Sequence, residues 1–112
     1  MSEERRRYRR IKIKLAVDCT GEKILQSVEI SNLSQGGMFI ITDKIEEIGA
    51  PLEVIFEVGR EEVRRIQASA VVAWVRKTPA AGLPSGMGVM FTKVFPVDGV
   101  KFLKELIDHW ED

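Results

Sequence analysis

Apolar and polar residues alternate along most of this chain, and this alternation restricts the possible folds more than any other feature. Residues 11–18 and 52–58 show it most clearly, with apolar side chains at every second position. Successive side chains of a β-strand point to opposite faces, so this period predicts strands with one buried face. The alternation, and a short apolar run at residues 38–41, predict about six strands. They lie at residues 11–18, 24–30, 38–41, 52–58, 63–75 and 86–91. The fifth is long for a strand, and we expect it to bend or to carry a bulge.

After Pro96 the period changes from that of a strand to that of a helix. Apolar residues recur at helical spacing at Val100, Leu103, Ile107 and Trp110. This stripe predicts an amphipathic helix over about residues 97–110, with Asp98 as its N-cap. Many short strands joined by turn signals are typical of a small antiparallel barrel, and we expect the helix to cover one open end or edge.

Length and composition favour one soluble domain. The chain has 112 residues, which is enough for one core without covalent cross-links. Its single cysteine, Cys19, excludes an intramolecular disulfide and a cysteine zinc cluster. The start of the chain lacks the apolar segment of a secretory signal, and no apolar run approaches the ~20 residues that span a bilayer. We therefore expect a cytoplasmic protein with no membrane insertion.

Charge is balanced overall but concentrated at the start of the chain. Lys and Arg number 17, as do Asp and Glu, yet seven of the basic residues lie in residues 5–14. Five guanidinium groups in residues 5–10 repel one another, so we expect an external anion to neutralise them. Arginine suits phosphate and the guanine edge through its paired donors, and it stacks on purines. Residues 1–10 are predicted to form a flexible basic arm. A solvated tail remains the alternative.

Residues 32–37, Asn-Leu-Ser-Gln-Gly-Gly, are predicted to form a polar loop between two strands. Asn32 and Ser34 offer short polar side chains, and the Asn32 carbonyl is suited to accept a hydrogen bond from guanine. Gly36 and Gly37 permit positive φ and close approach of a ligand to the backbone. An ordinary turn between strands would use the same residue types.

Taken together, the two segments resemble the PilZ domain family over nearly the whole chain. The resemblance is carried by residues 6–11 (Arg-Arg-Tyr-Arg-Arg-Ile) and 32–39, and later by residues 71–75 and 88–91. It implies a six-stranded antiparallel β-barrel over residues 11–112 that includes the C-terminal helix. It also implies binding of the bacterial second messenger cyclic di-GMP.

The resemblance also implies roles for individual residues. Arg6 and Arg10 would grip phosphates and guanine edges, and Arg5 would contact a second, stacked ligand molecule if two bind. The loop contributes Asn32, Ser34, Gly36 and Gly37. Asn32 stands where the family more often has Asp, so weaker binding is expected. Trp74 either flanks the ligand or packs in the fold.

Several other residues are predicted to serve the fold rather than chemistry. Three are assigned to packing: Cys19, Met87 and Met90. His109 is assigned to a favourable contact at the C-terminal end of the helix. The loop at residues 43–49 is predicted to expose its acidic side chains, including Glu46, while Ile45 and Ile48 pack back.

The sequence therefore predicts a stand-alone cyclic di-GMP receptor that relays the signal by ordering its arm. No nucleophile elbow, phosphate-cradling loop or metal-ligand spacing points to an enzyme or to a cofactor. A ligand-independent PilZ interaction module, of the kind associated with pili or motility, is the alternative. Zero net charge argues against nucleic-acid binding. The effector protein stays open among motility, pilus, exopolysaccharide and transcription machinery, and so does homodimerisation.

Overall fold

The computed structural model describes residues 8–111 and consists of six strands followed by one helix. The predictions for Arg5 and Arg6 lie outside the described residues. The elements are β1 (Ile11–Thr20), β2 (Leu25–Ser34), β3 (Gly37–Ile41), β4 (Pro51–Val58), β5 (Arg64–Arg76), β6 (Gly86–Phe95) and α1 (Gly99–Asp108). The predicted order of six strands and a terminal helix is confirmed, and α1 is shorter at both ends than predicted.

The strands form a closed antiparallel barrel in the order β1-β2-β3-β6-β5-β4, and β4 pairs back with β1. Closure satisfies the edge groups that an open sheet would leave unpaired. The pairing of β5 with β6 shifts register between Ser69 and Ala70 and again between Val72 and Trp74. These irregularities confirm the predicted bulge in the long fifth strand.

Alternate residues of each strand point into the barrel and form a single core. Side chains with no exposed surface come from β2, β3, β4, β5 and β6, and the helix adds the buried apolar side chains of Leu103 and Ile107. These core positions include Ile30, Ile40, Ile66, Met87, Leu103 and Ile107. Burial of these apolar side chains is the main favourable term for the fold. The apolar positions that recur along the predicted strands and helix thus form one hydrophobic core.

Helix α1 closes the barrel end where β2 ends and β5 begins. Leu103 and Ile107 are buried in the core, which confirms the predicted stripe. Asp98 occupies the N-cap position, but its side chain makes no capping hydrogen bond. Its carboxylate instead accepts two hydrogen bonds from the Arg64 guanidinium, at 2.8 and 3.1 Å. That pairing lowers the pKa of Asp98, first through the hydrogen bond from Arg64.

Residues 42–50 close the opposite end of the barrel, and here two predictions are wrong. Glu46 is only 2% exposed, because its carboxylate accepts hydrogen bonds from the backbone N–H groups of Lys23 and Ile24. It therefore satisfies backbone donors at the barrel end, where a solvated carboxylate was predicted. Ile45 packs against the core as predicted, whereas Ile48 is 66% exposed.

Cys19 lies inside the barrel near this end and is buried, as predicted. Burial, together with the smaller effect of the negative charge of Glu46, raises the pKa of its thiol from 9.0 to about 11. The thiol is therefore protonated at neutral pH. Among residues 8–111, no helix is long and apolar enough to cross a bilayer.

Candidate functional site

The polar segment at residues 32–37 is a tight hairpin and not the six-residue loop that was predicted. Asn32 and Ser34 belong to the end of β2, Gly37 begins β3, and the turn consists of Gln35 and Gly36. The Ser34 hydroxyl accepts a hydrogen bond from the Gly36 N–H at 3.1 Å and donates to the Gly37 carbonyl at 3.4 Å. The buried Ser34 side chain thus braces the turn from within.

The two glycines of this hairpin serve close packing. Neither has positive φ, so that part of the sequence interpretation is wrong. A Cβ on Gly37 would collide with the carbonyl oxygen of Val89 on the neighbouring strand. A Cβ on Gly36 would lie 2.7 Å from the ring of Tyr8, which covers this glycine. Gly37 therefore lets β3 approach β6, and Gly36 provides the surface on which the arm's tyrosine rests.

The end of the basic arm meets this hairpin. Arg10 Nη1 donates a hydrogen bond of 2.9 Å to Asn32 Oδ1, across 22 positions of sequence. The preceding residue, Arg9, points elsewhere and donates to backbone carbonyls at the end of α1. The structure therefore brings Arg10, and not Arg9, to the polar hairpin.

Strand register extends this site across the outer wall of the barrel. Asn32 pairs with Phe39, Phe39 with Gly88, and Gly88 with Trp74. Residues paired in this way share one face of an antiparallel sheet. The row spans three strand spacings, about 14 Å along the sheet from Asn32 to Trp74. Trp74 thus lies on the same face as the hairpin, although 42 positions of sequence separate it from Asn32.

The far end of the row is an aromatic stack built over glycine. Trp74 and Phe39 stack with ring centroids 5.1 Å apart and an interplanar angle of 26°. A Cβ on Gly88 would collide with the Trp74 indole, so the glycine makes room for the ring. Phe39 is buried in this stack, whereas Trp74 keeps 42% of its surface exposed. Neither of the two interpretations of Trp74 is tested by this geometry, which shows packing and exposure in the same side chain.

Arg76 is a charged group of this surface that sequence reasoning missed. Its guanidinium carbon lies 5.1 Å from the centroid of Phe39 and 5.2 Å from that of Trp74. It also donates a hydrogen bond of 2.8 Å to the Pro84 carbonyl, which fixes its position. The available signal was its spacing of two from Trp74, which places both on one face of a strand. The outer wall thus carries a cation beside each end of the row.

Met90 also lies on the outer wall, opposite Gly37 on the adjacent strand. It is 53% exposed, so its predicted packing role is wrong, whereas Met87 is fully buried as predicted. Among the described residues no group of three or more His, Cys, Asp and Glu side chains is placed to hold a metal ion. The wall instead offers guanidinium donors, an amide and an exposed aromatic ring. Such a surface suits a flat, anionic, hydrogen-bonding ligand.

Comparison with known proteins agrees with this architecture. The profile of the PilZ domain family matches residues 4–108. A similar solved structure is the inhibitor of motility MotI/DgrA from Bacillus subtilis, with a TM-score of 0.77 and 21% sequence identity. The match covers 89% of this chain and 48% of that one, so this chain spans about half of that protein's length. No curated protein matches the chain. Because the family profile covers nearly all of the sequence, this chain belongs to the PilZ domain family.

Proposed function

We propose that this protein is a receptor for cyclic di-GMP and that the ligand binds on the outer wall of the barrel, beside the β2–β3 hairpin. The observation that carries this proposal is the hydrogen bond between Arg10 and Asn32. It joins the two sequence segments on which family membership and ligand chemistry both depend. The profile match supports the ligand class, since PilZ domains are a family of regulatory binding domains.

Each part of the wall has a role in this proposal. Arg10 supplies paired donors to a phosphate or to the O6/N7 edge of guanine, and Arg6 and Arg5 do the same from the arm. Asn32 supplies a carbonyl acceptor and also holds Arg10 in place. Ser34, Gly36 and Gly37 act through the shape of the turn. In this arrangement the base farthest from the hairpin has no partner among these residues, and the exposed ring of Trp74 supplies one.

Stacking is the chemical reason to include Trp74. A purine stacked on an aromatic side chain contributes about 1–3 kcal/mol, largely independently of sequence. The indole rests on Phe39 and beside Arg76, so its orientation is set before any ligand arrives. A platform fixed in advance binds without the entropic cost of ordering a side chain. The distance from Asn32 to Trp74 along the wall suits a ligand with two nucleotide halves.

Signal relay is the second half of the proposal. The ligand neutralises the arm's guanidinium groups, orders the arm against the barrel and so presents a changed surface to an effector protein in the cytoplasm. MotI/DgrA, which shares the fold, is described as an inhibitor of motility, and this supports an effector protein in motility or a related machinery. The alternative is an interaction module that uses this fold without the nucleotide.

Titration calorimetry with cyclic di-GMP separates these functions. We expect saturable binding by the wild-type chain. Arg10→Ala removes a charge-assisted, bidentate contact and should weaken binding by about 1.5–3 kcal/mol, which is roughly 10- to 150-fold. Arg65→Ala is the matched control, because Arg65 is an exposed arginine of β5. It lies opposite Glu57 in the β4–β5 strand register, away from the hairpin. Its affinity should equal that of the wild type.

Two results would contradict the proposal. No heat at high micromolar nucleotide would favour the ligand-independent module. Equal losses in Arg10→Ala and Arg65→Ala would show general charge attraction in place of a specific site, and binding would then fall steeply with salt.

A further inference from the structure

Two neighbouring arginines of the arm are anchored to different parts of the molecule. Arg10 bonds to Asn32 in the proposed nucleotide site. Arg9 Nη1 donates to the Ile107 carbonyl at 2.7 Å and to the Asp108 carbonyl at 3.4 Å, and Nη2 donates to the Trp110 carbonyl at 2.9 Å. Successive side chains of an extended segment point to opposite sides, which explains how adjacent residues reach two separate elements.

The contacts of Arg9 meet a specific need of helix α1. The last carbonyls of a helix lack partners within the helix and carry partial negative charge, so a cation is favourable there. The last turn of α1, residues 105–108, is Glu-Leu-Ile-Asp and contains no basic side chain. The required cation comes instead from the arm, about 100 positions earlier in the sequence.

A second arginine holds the same helix end from another side. The Arg60 guanidinium, in the β4–β5 hairpin, lies 4.2 Å from the centroid of the Trp110 ring and donates to the Glu111 carbonyl at 3.3 Å. Arg60 belongs to the barrel and lies far from the arm in the sequence. Arg9 and Arg60 therefore both contact the segment that follows α1, but only Arg9 is directly attached to the residue that meets Asn32.

We propose that Arg9 couples occupancy of the nucleotide site to the order of the C-terminal end of α1. This inference rests on the proposed function. Binding that orders the arm through Arg10 also restricts Arg9 and so raises the population in which its three hydrogen bonds are made. Coupling of this kind is reciprocal, so the helix contact must strengthen nucleotide binding by the same factor. The end of α1 is then the surface whose order reports the ligand.

Hydrogen exchange of the full chain tests this coupling, measured with and without saturating cyclic di-GMP. In the wild type we expect the ligand to slow exchange in a peptide covering residues 104–111 by about fivefold or more, at the lower end of allosteric couplings. A peptide of central β5, residues 66–72, is the internal reference. In Arg9→Gln the helix end should exchange faster without ligand and should not respond to ligand. Its nucleotide affinity should fall by a factor comparable to the wild-type slowing.

Arg60→Gln is the control for mere loss of a helix contact. It should also speed exchange at the helix end, but the ligand should still slow that exchange, because Arg9 is intact. A ligand response that survives in Arg9→Gln, or that disappears equally in Arg60→Gln, would overturn the coupling. The coupling would also be overturned if calorimetry showed that the wild-type chain binds the nucleotide while the hydrogen-exchange rate of its helix end stays the same. Absence of heat would overturn the proposed function as well, and calorimetry distinguishes these two failures.

Discussion

The inner and outer faces of the same strands carry opposite kinds of residue. Facing the interior, Ile30, Ile40 and Met87 occupy paired positions of β2, β3 and β6, and none has exposed surface. On the outer face, the row that contains Asn32 continues through a ring stack over Gly88. The interior requires apolar volume, which many side chains supply. The outer row instead has an amide at Asn32, a glycine at Gly88 and an aromatic ring at Trp74. The inner face thus specifies the fold, and the outer face carries the residues of the proposed site.

Two methionines of β6 provide the sharpest test of this contrast, because they differ in face and share a strand. Met87→Ala should lower the free energy of unfolding by about 2–5 kcal/mol, since it leaves a cavity among fully buried neighbours. Met90→Ala removes a side chain that is 53% exposed and should change stability by no more than about 0.5 kcal/mol. Denaturant unfolding measures both. Similar losses would mean that the two faces do not differ in the way described.

The aromatic end of the outer row should affect binding more than stability. We expect Trp74→Ala to weaken cyclic di-GMP binding by about 1–3 kcal/mol through loss of base stacking. The chain has two tryptophans, so Trp110→Phe is the matched control and also leaves Trp74 as the only indole fluorophore. That variant keeps the backbone carbonyl of residue 110 that accepts from Arg9, so ligand should change the Trp74 emission with unaltered affinity. Full affinity in Trp74→Ala would remove this ring from the site.

The smallest expected effect comes from the one thiol of the inner face. Burial raises the pKa of Cys19 to about 11, so the folded state holds this proton where the unfolded chain, at 9.0, begins to lose it. Stability from this group is therefore complete below pH 9 and is lost as pH rises towards 11. The loss amounts to about 1 kcal/mol at pH 10. Cys19→Ala should lack this part of the pH dependence in denaturant unfolding. Identical slopes for the two chains would contradict the assignment.

Much of the fold was predictable because it follows from local periodicity. The alternation in residues 11–18 and 52–58 and the stripe of α1 reflect burial on one face, which a sequence displays directly. The bulge in β5 was also predictable from strand length. Met90 was assigned wrongly, because an apolar residue at a strand position does not reveal whether its face is inner or outer.

Other features depend on contacts between distant residues. Glu46 is buried where two backbone N–H groups just before β2 need an acceptor, and the sequence does not show that these segments meet. Asp98 bonds to Arg64 of β5 and leaves its own helix uncapped. The contacts of Arg9 with α1 and of Arg76 with Phe39 likewise depend on the closed barrel. The hairpin at residues 32–37 was located correctly, but its length was overestimated because its polar residues continue a strand.

Amide chemical-shift mapping during a nucleotide titration tests most directly whether the outer wall beside the β2–β3 hairpin binds cyclic di-GMP. We predict the largest shifts at residues 8–10, 32–37, 74 and 88, with smaller shifts at the end of α1. The groove lined by Lys23, Ile45 and Lys77 at the opposite end of the barrel should stay unchanged. Shifts centred on that groove, or uniform weak shifts over all basic surfaces, would contradict the claim.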